Sequence, residues 1–342
     1  MPASTVYPAG VHQPRHTPSA ECRRPPAPAP LTDSQKSALD QVRTQIHSDA
    51  ITPRPDQKRW ANDACLLRYL RGRKWNVEEA KQAIESSIRW RDEFGPDRPD
   101  RKALWLETTP GKIYVSGFDG ESRPLVYMRP RLENTQASDT QIKHVVFHLE
   151  TALALMPEGV EALTIVIDFH GSSMRTSPGA AVAKQIIDVL GSQFPERLGK
   201  AYIIHAPWFF FPFYKLISPW IDPVTKAKIH FVDMKKQKQK SSSSSSSTSS
   251  SSASSPTSSE HVQLLDAIPL DMLEQEYGGA SEYKYDQEIY WQACERALAV
   301  SRTMLQDGCS RSEAEAKVDA GAPNKHAATA AVPAVAASIS AA

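Results

Sequence analysis

The chain has 342 residues and four scattered cysteines, with 40 Lys and Arg against 39 Asp and Glu. That length holds one or two domains, and so even a charge balance gives no pull toward nucleic acid. Cys22, Cys65, Cys294 and Cys309 make no CxxC pair or metal-ligand spacing, no apolar run reaches the ~18 residues of a membrane span, and the start lacks the apolar core of a secretory signal, so a cytoplasmic protein in a reducing compartment is expected.

Residues 1–30 are rich in Pro, Ala and Ser. They hold few bulky apolar groups to offset ordering entropy, and a disordered tail is expected. A small all-helical lobe is predicted over 31–95. Leu39, Val42 and Ile46 recur at helical spacing after a polar start at Leu31, Thr32 and Asp33. A second helix carries Leu66, Leu67 and Leu70 and stops at Gly72. Asn76 with Glu79 gives an N-cap signature, after which Val77, Ala80, Ile84 and Ile88 line one face up to about Phe94. The cations Arg68, Arg71, Arg73, Lys74, Arg89 and Arg91 read, on pattern alone, as a solvated helix surface.

Residues 96–285 are predicted to be an α/β domain. Residues 113–115 and 125–128 are short β-rich runs around Asp119 and Gly120, a hairpin or neighbouring strand pair. Ser138 and Gln141 form a capping-box pattern, and Ile142, Val145, Val146, Leu149, Leu153 and Met156 then repeat at helical spacing until Pro157 and Gly159. The LTIVIDF run at 163–169 reads as a central buried strand, with Asp168 its polar exception. Ser177 and Pro178 open a helix carrying Val182, Ile186, Val189 and Leu190, and another strand starts near Lys200. This β-α-β-α-β order predicts a parallel or mixed sheet covered by helices.

The stretch 194–232 is the most informative. Residues 202–204 and 229–232 read as strands. Between them lies an apolar run containing Trp208, Phe209, Phe210, Phe211, Phe213, Tyr214, Leu216, Ile217, Trp220 and Ile221. On a helix, Phe210, Tyr214, Ile217 and Ile221 share one face, while Trp208 and Phe211 fall off it. Two readings are open: a core helix, or a helix with an apolar ligand on one side and a membrane on the other. Pro212 either opens the helix or kinks it. Residues 235–259 change abruptly to Lys and Ser and are expected to be a disordered insertion. A helix is predicted over 286–307, with Trp291, Cys294 and Leu298 on one side, and a disordered Ala-rich tail over 308–342.

PERLGKAYIIHAPW followed by DPVTKAK, with LLRYLRGRKWNVEEA before and LLDAIPLDMLEQEYGG after, resembles the CRAL-TRIO lipid-binding domain of the yeast-type phosphatidylinositol transfer proteins. The resemblance covers about residues 60–280. It implies a CRAL-TRIO-like mixed or parallel sheet flooring an apolar lipid pocket, preceded by the helical lobe. It also implies a non-enzymatic monomeric carrier that moves phosphatidylinositol between membranes and couples lipid transport to phosphoinositide signalling. Glu196 and Lys228, which spacing alone leaves as a salt bridge, take the roles of inositol and phosphate ligands in that family. Thr225 matches a phosphate-contacting threonine, and Arg73 a basic headgroup contact. Trp208, Phe209, Phe210, Phe211, Phe213, Tyr214, Ile217 and Trp220 would form a gate in transient contact with membranes.

One departure concerns cargo. Members of the family that carry phosphatidylcholine have hydroxyls where this chain has Leu163 and Ile165, so an apolar pocket wall is expected there, and Thr164 should point to the opposite face. A sterol or another apolar lipid is the alternative cargo. A lipid-presenting adaptor for a phosphoinositide kinase would use the same site. No cofactor or metal is implied. There is no Gly-rich phosphate loop, HExxH or GxSxG, so no enzymatic reading is favoured. His144 and His148 have metal-capable spacing but no third ligand, and His170 reads as structural.

Overall fold

The computed structural model describes residues 10–136, 139–176, 179–232 and 264–321. Four helices come first: α1 (Asp33–Ile46), α2 (Pro55–Trp60), α3 (Asp63–Gly72) and α4 (Val77–Phe94). Side-chain caps define their starts. Thr32 and Gln35 form a reciprocal capping box on α1, Asn62 accepts from the Cys65 amide, and Asn76 accepts from the Glu79 amide. Gly95 ends α4 at φ 61°, where a side chain would be strained. Leu39, Val42 and Ile46 of α1 pack with Leu66, Leu70, Ala80, Ile84 and Ile88 into a core of their own.

The cations of this lobe are not all solvated, which corrects the surface reading. Arg68 is buried, Arg91 nearly so, and each meets a carboxylate of the following domain: Arg68 lies 3.6 Å from Glu161 and Arg91 2.8 Å from Glu150. Arg71 reaches Glu161 at 2.7 Å. A buried guanidinium requires such a partner, because leaving it unpaired is costly.

Helix α5 (Arg101–Thr108), which the apolar periodicity did not reveal, leads into the sheet. Strand β1 (Ile113–Phe118) pairs antiparallel with β2 (Pro124–Met128), and β3 (Leu163–Asp168), β4 (Leu198–Ile204) and β5 (Ile229–Val232) add in parallel, in the order β1-β2-β3-β4-β5. The β1–β2 turn is fixed by Asp119, whose carboxylate accepts from the amides of Glu121 and Arg123 at 2.9 Å. Helix α6 (Asp139–Leu155) precedes β3 and α7 (Ala180–Gln193) follows it. The capping residues expected at Ser138, Ser177 and Pro178 lie outside the described residues.

The two faces differ. Tyr114, Tyr127, Val166 and Tyr202 pair across one of them. The closing segment covers it, with Tyr277 stacked on Tyr127 and Tyr283 against Tyr114. Side chains alternate along a strand, so Leu163, Ile165 and Ile167 face the other way.

Two tails are corrected in part. Residues 10–30 were expected to be disordered, yet Arg15 exchanges bonds with β1: its amide donates to Ser116 Oγ at 3.1 Å and its carbonyl accepts from Gly117 at 2.8 Å. The Lys284 amide donates to Val11, and the Arg23 amide donates to Gly120. The segment thus satisfies backbone groups on an edge strand, a need that composition does not display. Past residue 308 a helix, Arg311–Gly321, packs on the long Gln287–Asp307 helix through buried Ala314 and an Arg296–Asp319 ion pair at 2.8 Å. Ser310 and Glu313 cap it reciprocally, a local signal hidden by the Ala-rich composition. The 235–259 insertion and residues 322–342 lie outside the described residues.

His144 and His148 are fully buried on α6, their rings 4.5 Å apart, with Tyr290 stacked on His148. Burial pushes the His148 imidazole down to about 3, against the bond its Nδ1 donates to the His144 carbonyl at 2.7 Å. Because the folded value lies below the ordinary one, the neutral ring stabilises the fold above about pH 6.5, and that contribution is lost as pH falls toward 3. At pH 5 the loss from His148 is about 2 kcal/mol. The melting temperature should therefore drop between pH 7 and pH 5, and His148→Phe should flatten that slope. Parallel slopes for the two proteins would count against this origin of acid sensitivity.

Candidate functional site

The site is built by the crossover from β4 to β5, which contains α8 (Phe210–Ile217), a 3-10 turn (Ser218–Trp220) and α9 (Pro223–Ala227). Glu196 sits in the turn just before β4, and Lys228 ends α9 just before β5. The Ala201 amide donates to the Lys228 carbonyl at 2.8 Å, tying the start of β5 to the middle of β4. The parallel pairing thereby places Lys228 Nζ 4.0 Å from Glu196 Oε2, with both side chains partly open to solvent.

Local geometry serves this meeting. Glu196 adopts φ 58°, a left-handed conformation that a non-glycine residue holds only when its surroundings impose it. Lys74 and Trp75, just past α3, do the same at φ 51° and 66°. Gly199 is the extra residue of a bulge in β4 opposite β3, and a Cβ there would come within 2.7 Å of Arg123.

Asp222 caps α9 by accepting from the Thr225 amide at 2.9 Å. Partial burial pushes its carboxyl up, but hydrogen bonds from Thr225 and Val224 and the Lys228 charge outweigh that and hold it below its usual range. Thr225 stands one turn before Lys228 and is half-buried. Arg73, the C-cap of α3, is half-buried as well. A Cβ on neighbouring Gly72 would sit 3.5 Å from Pro195, so the end of α3 abuts the turn that carries Glu196. Among the described residues no ion pair joins Arg73 to Glu196. The structure thus brings Glu196 and Lys228 together, sets Thr225 beside Lys228, and leaves Arg73 adjacent.

Sequence reading missed what stands behind the pair. Arg197 donates to the Glu161 carbonyl at 2.8 Å, and burial with help from nearby Arg68 lowers its guanidinium to about 10. The Glu161 carboxylate also holds Arg68 and Arg71 of the helical lobe, so one residue gathers α3 through its side chain and the turn before β4 through its backbone carbonyl. Nothing in the spacing of Glu161 signals this, because the grouping is made entirely by the fold.

The floor is apolar. Leu163 and Ile165 are buried, while Thr164 turns away and donates to Asp119 at 2.7 Å on the opposite side. Ile167 and Ile203, near the C-terminal ends of β3 and β4, and Ile229, at the start of β5, pack with Phe169 and with Phe210, Phe213 and Tyr214 of α8, so this helix covers the face that Leu163 and Ile165 share.

Pro212 is the third residue of α8, where its missing N–H has no intrahelical partner, so it opens the helix and does not kink it. The eight gate and membrane-contact residues divide between two sides of the segment. Phe210 and Ile217 are buried, and Phe209, Phe213 and Tyr214 are half-buried, because one side of the helix packs on the sheet. Trp208 is 78% exposed, Phe211 53% and Trp220 38%. Leu216 at 56% and Val224 at 59% extend the exposed apolar surface. Patches of this kind mark contact with an apolar partner. Among the described residues no helix is long and apolar enough to cross a membrane, and no group of three or more His, Cys, Asp or Glu is placed to hold a metal ion.

Comparison with known proteins agrees with this architecture. The CRAL/TRIO domain family matches residues 108–279, and the CRAL/TRIO N-terminal domain matches residues 38–86. A CRAL-TRIO domain-containing protein of Schizosaccharomyces pombe is 33% identical over 80% of this chain and 25% of its own length. Phosphatidylinositol transfer protein PDR17 of Saccharomyces cerevisiae is 32% identical over 69% of this chain and 62% of its own. Phosphatidylinositol transfer protein CSR1 of Eremothecium gossypii is 31% identical over 66% and 48%. The chain thus spans between a quarter and about three-fifths of the length of these relatives. Since the family match takes in half of the chain and coincides with the sheet, its crossover and the closing segment, the protein belongs to the CRAL-TRIO domain family.

Proposed function

We propose that this protein is a carrier that binds phosphatidylinositol and moves it between membranes without a catalytic step. The observation that carries the reading is the Glu196–Lys228 pair, held 4.0 Å apart at the strand starts beside Thr225. A lysine and a hydroxyl suit a phosphodiester, and a carboxylate accepts from inositol hydroxyls. The apolar floor suits acyl chains, which need a large apolar pocket with polar groups only at the headgroup. Two relatives named as phosphatidylinositol transfer proteins support the choice of lipid. The exposed side of α8 and the turn after it would touch a membrane while the buried side closes over cargo, with the protein otherwise in the cytoplasm. The direct test is mass spectrometry of lipid co-purified with the full chain. Recovery of phosphatidylinositol supports the reading, and a preparation that neither retains nor transfers it refutes it.

Headgroup choice follows from the floor. Leu163 and Ile165 offer no hydroxyl to a phosphocholine, and burying a phosphate without partners costs several kcal/mol on the order of a lost buried hydrogen bond or more. We expect phosphatidylinositol transfer with phosphatidylcholine transfer at least tenfold slower, and a sterol or other neutral lipid as the alternative cargo. A competition assay with the three labelled lipids decides. Efficient phosphatidylcholine transfer would show that β3 does not set headgroup choice.

A further inference from the structure

The root of α8 holds an arrangement that the headgroup site does not use. Asp168, at the end of the central strand, is buried, and four groups aim at its carboxylate. Arg131 donates to Oδ2 at 2.5 Å, as does the Tyr277 hydroxyl at 3.3 Å; the His170 amide donates to Oδ1 at 2.9 Å and His205 Nδ1 donates to the same oxygen at 2.8 Å. Three of these donors lie in the body of the domain. The fourth, His205, is the first residue after β4, at the start of the segment that leads to Trp208 and α8.

His205 also departs from ordinary backbone geometry. It adopts φ 52°, the left-handed region, where a non-glycine residue is strained, although its residue surface is open to solvent. Two opposed effects therefore meet at one residue. The backbone of His205 favours leaving this conformation, and the ring, anchored on a carboxylate fixed by three other donors, opposes it. Beyond it, the Phe210 amide bonds the Pro207 carbonyl in a simple turn. Hinges of moving elements are a few terminal residues that absorb such a backbone change.

We infer that His205 is the hinge of α8 and that its bond to Asp168 is a latch which sets how often the helix lifts from the sheet. The inference rests on α8 acting as the gate of a lipid carrier. His205 is in this sense a positioning residue, and it touches no cargo.

Three substitutions separate the two effects in the full chain. His205→Ala removes the bond and keeps the strain, His205→Gly removes both, and His205→Asn keeps a short amide donor in a residue that tolerates this backbone. Hydrogen–deuterium exchange is measured on peptides covering 206–221, with β3, β4 and α4 as internal references. The expectation is a rise of about five- to thirtyfold in exchange over 206–221 for the alanine variant, from loss of the hydrogen bond to the Asp168 carboxylate. The glycine variant should fall between it and the unaltered protein, and the asparagine variant should lie near the unaltered protein. Unchanged exchange in both the alanine and glycine variants overturns the latch. So does a rise spread evenly over the reference elements, which would make His205 an ordinary fold contact. Phosphatidylinositol transfer by the unaltered protein is run in parallel. Its absence withdraws the carrier reading, while the exchange result still decides whether His205 latches the helix.

Discussion

Lys228→Ala should abolish phosphatidylinositol transfer while leaving the protein folded. The ammonium is the counter-charge proposed for the headgroup phosphate, and truncating one partner of a desolvated charge pair costs about 2–5 kcal/mol. That corresponds to a loss of roughly thirtyfold to several thousandfold in affinity. Stability should hardly move. The Lys228–Glu196 pair stands at 4.0 Å with both side chains partly solvated, and such pairs contribute about 0–1 kcal/mol.

Glu196 offers a sharper version of the same test, because its backbone is strained at φ 58°. Glu196→Gly removes both the inositol acceptor and the strain. Relief of a left-handed penalty contributes about 1 kcal/mol, offset in part by the greater freedom of glycine in the unfolded chain. This variant should therefore melt no lower than the unaltered protein and yet fail to transfer phosphatidylinositol. Loss of transfer without loss of stability is the signature of strain kept for function. Normal transfer by either folded variant removes the site assignment.

The fold was largely legible because its signals are local. LTIVIDF is apolar on both faces, and β3 indeed sits in the middle of the sheet with neighbours on either side. The cap at Asn76 is a short-range hydrogen bond, so four residues contain the whole signal. The meeting of Glu196 and Lys228 was legible from their spacing, one β-α-β unit apart at the borders of two strands, but their headgroup role came from the family resemblance, since spacing alone left a plain salt bridge open. What could not be read is what only the fold assembles. Arg68, Arg91, Glu150 and Glu161 look like surface charges until two lobes meet around them. The Asp168 cluster draws on residues from four separate segments, at Arg131, His170, His205 and Tyr277. The N-terminal residues that cover β1 carry no periodicity, because backbone bonding to an edge asks little of their side chains.

Helix α8 shows where the boundary lies. Its apolar arc was plain in the sequence, but which side faces the sheet depends on the tertiary packing. That division yields the second large expected effect. Replacing Trp208 and Phe211 together by Ser should cut binding to phospholipid vesicles by about a hundredfold or more, since transferring one large apolar side chain out of water contributes about 1.5–3 kcal/mol. The same change should leave the melting temperature within a few degrees, because both side chains are already more than half exposed. Phe210→Ser should do the reverse. Phe210 is 6% exposed and packs against Phe169 and Ile203, and truncating a buried phenylalanine costs about 3–5 kcal/mol. Cosedimentation with vesicles and thermal unfolding measure the two quantities on the same preparations. If the loss of vesicle binding follows the loss of stability in all variants, α8 is a core helix whose outer residues happen to be apolar. If the two separate as described, the exposed side of the crossover makes the membrane contact and the buried side holds the helix over the apolar floor.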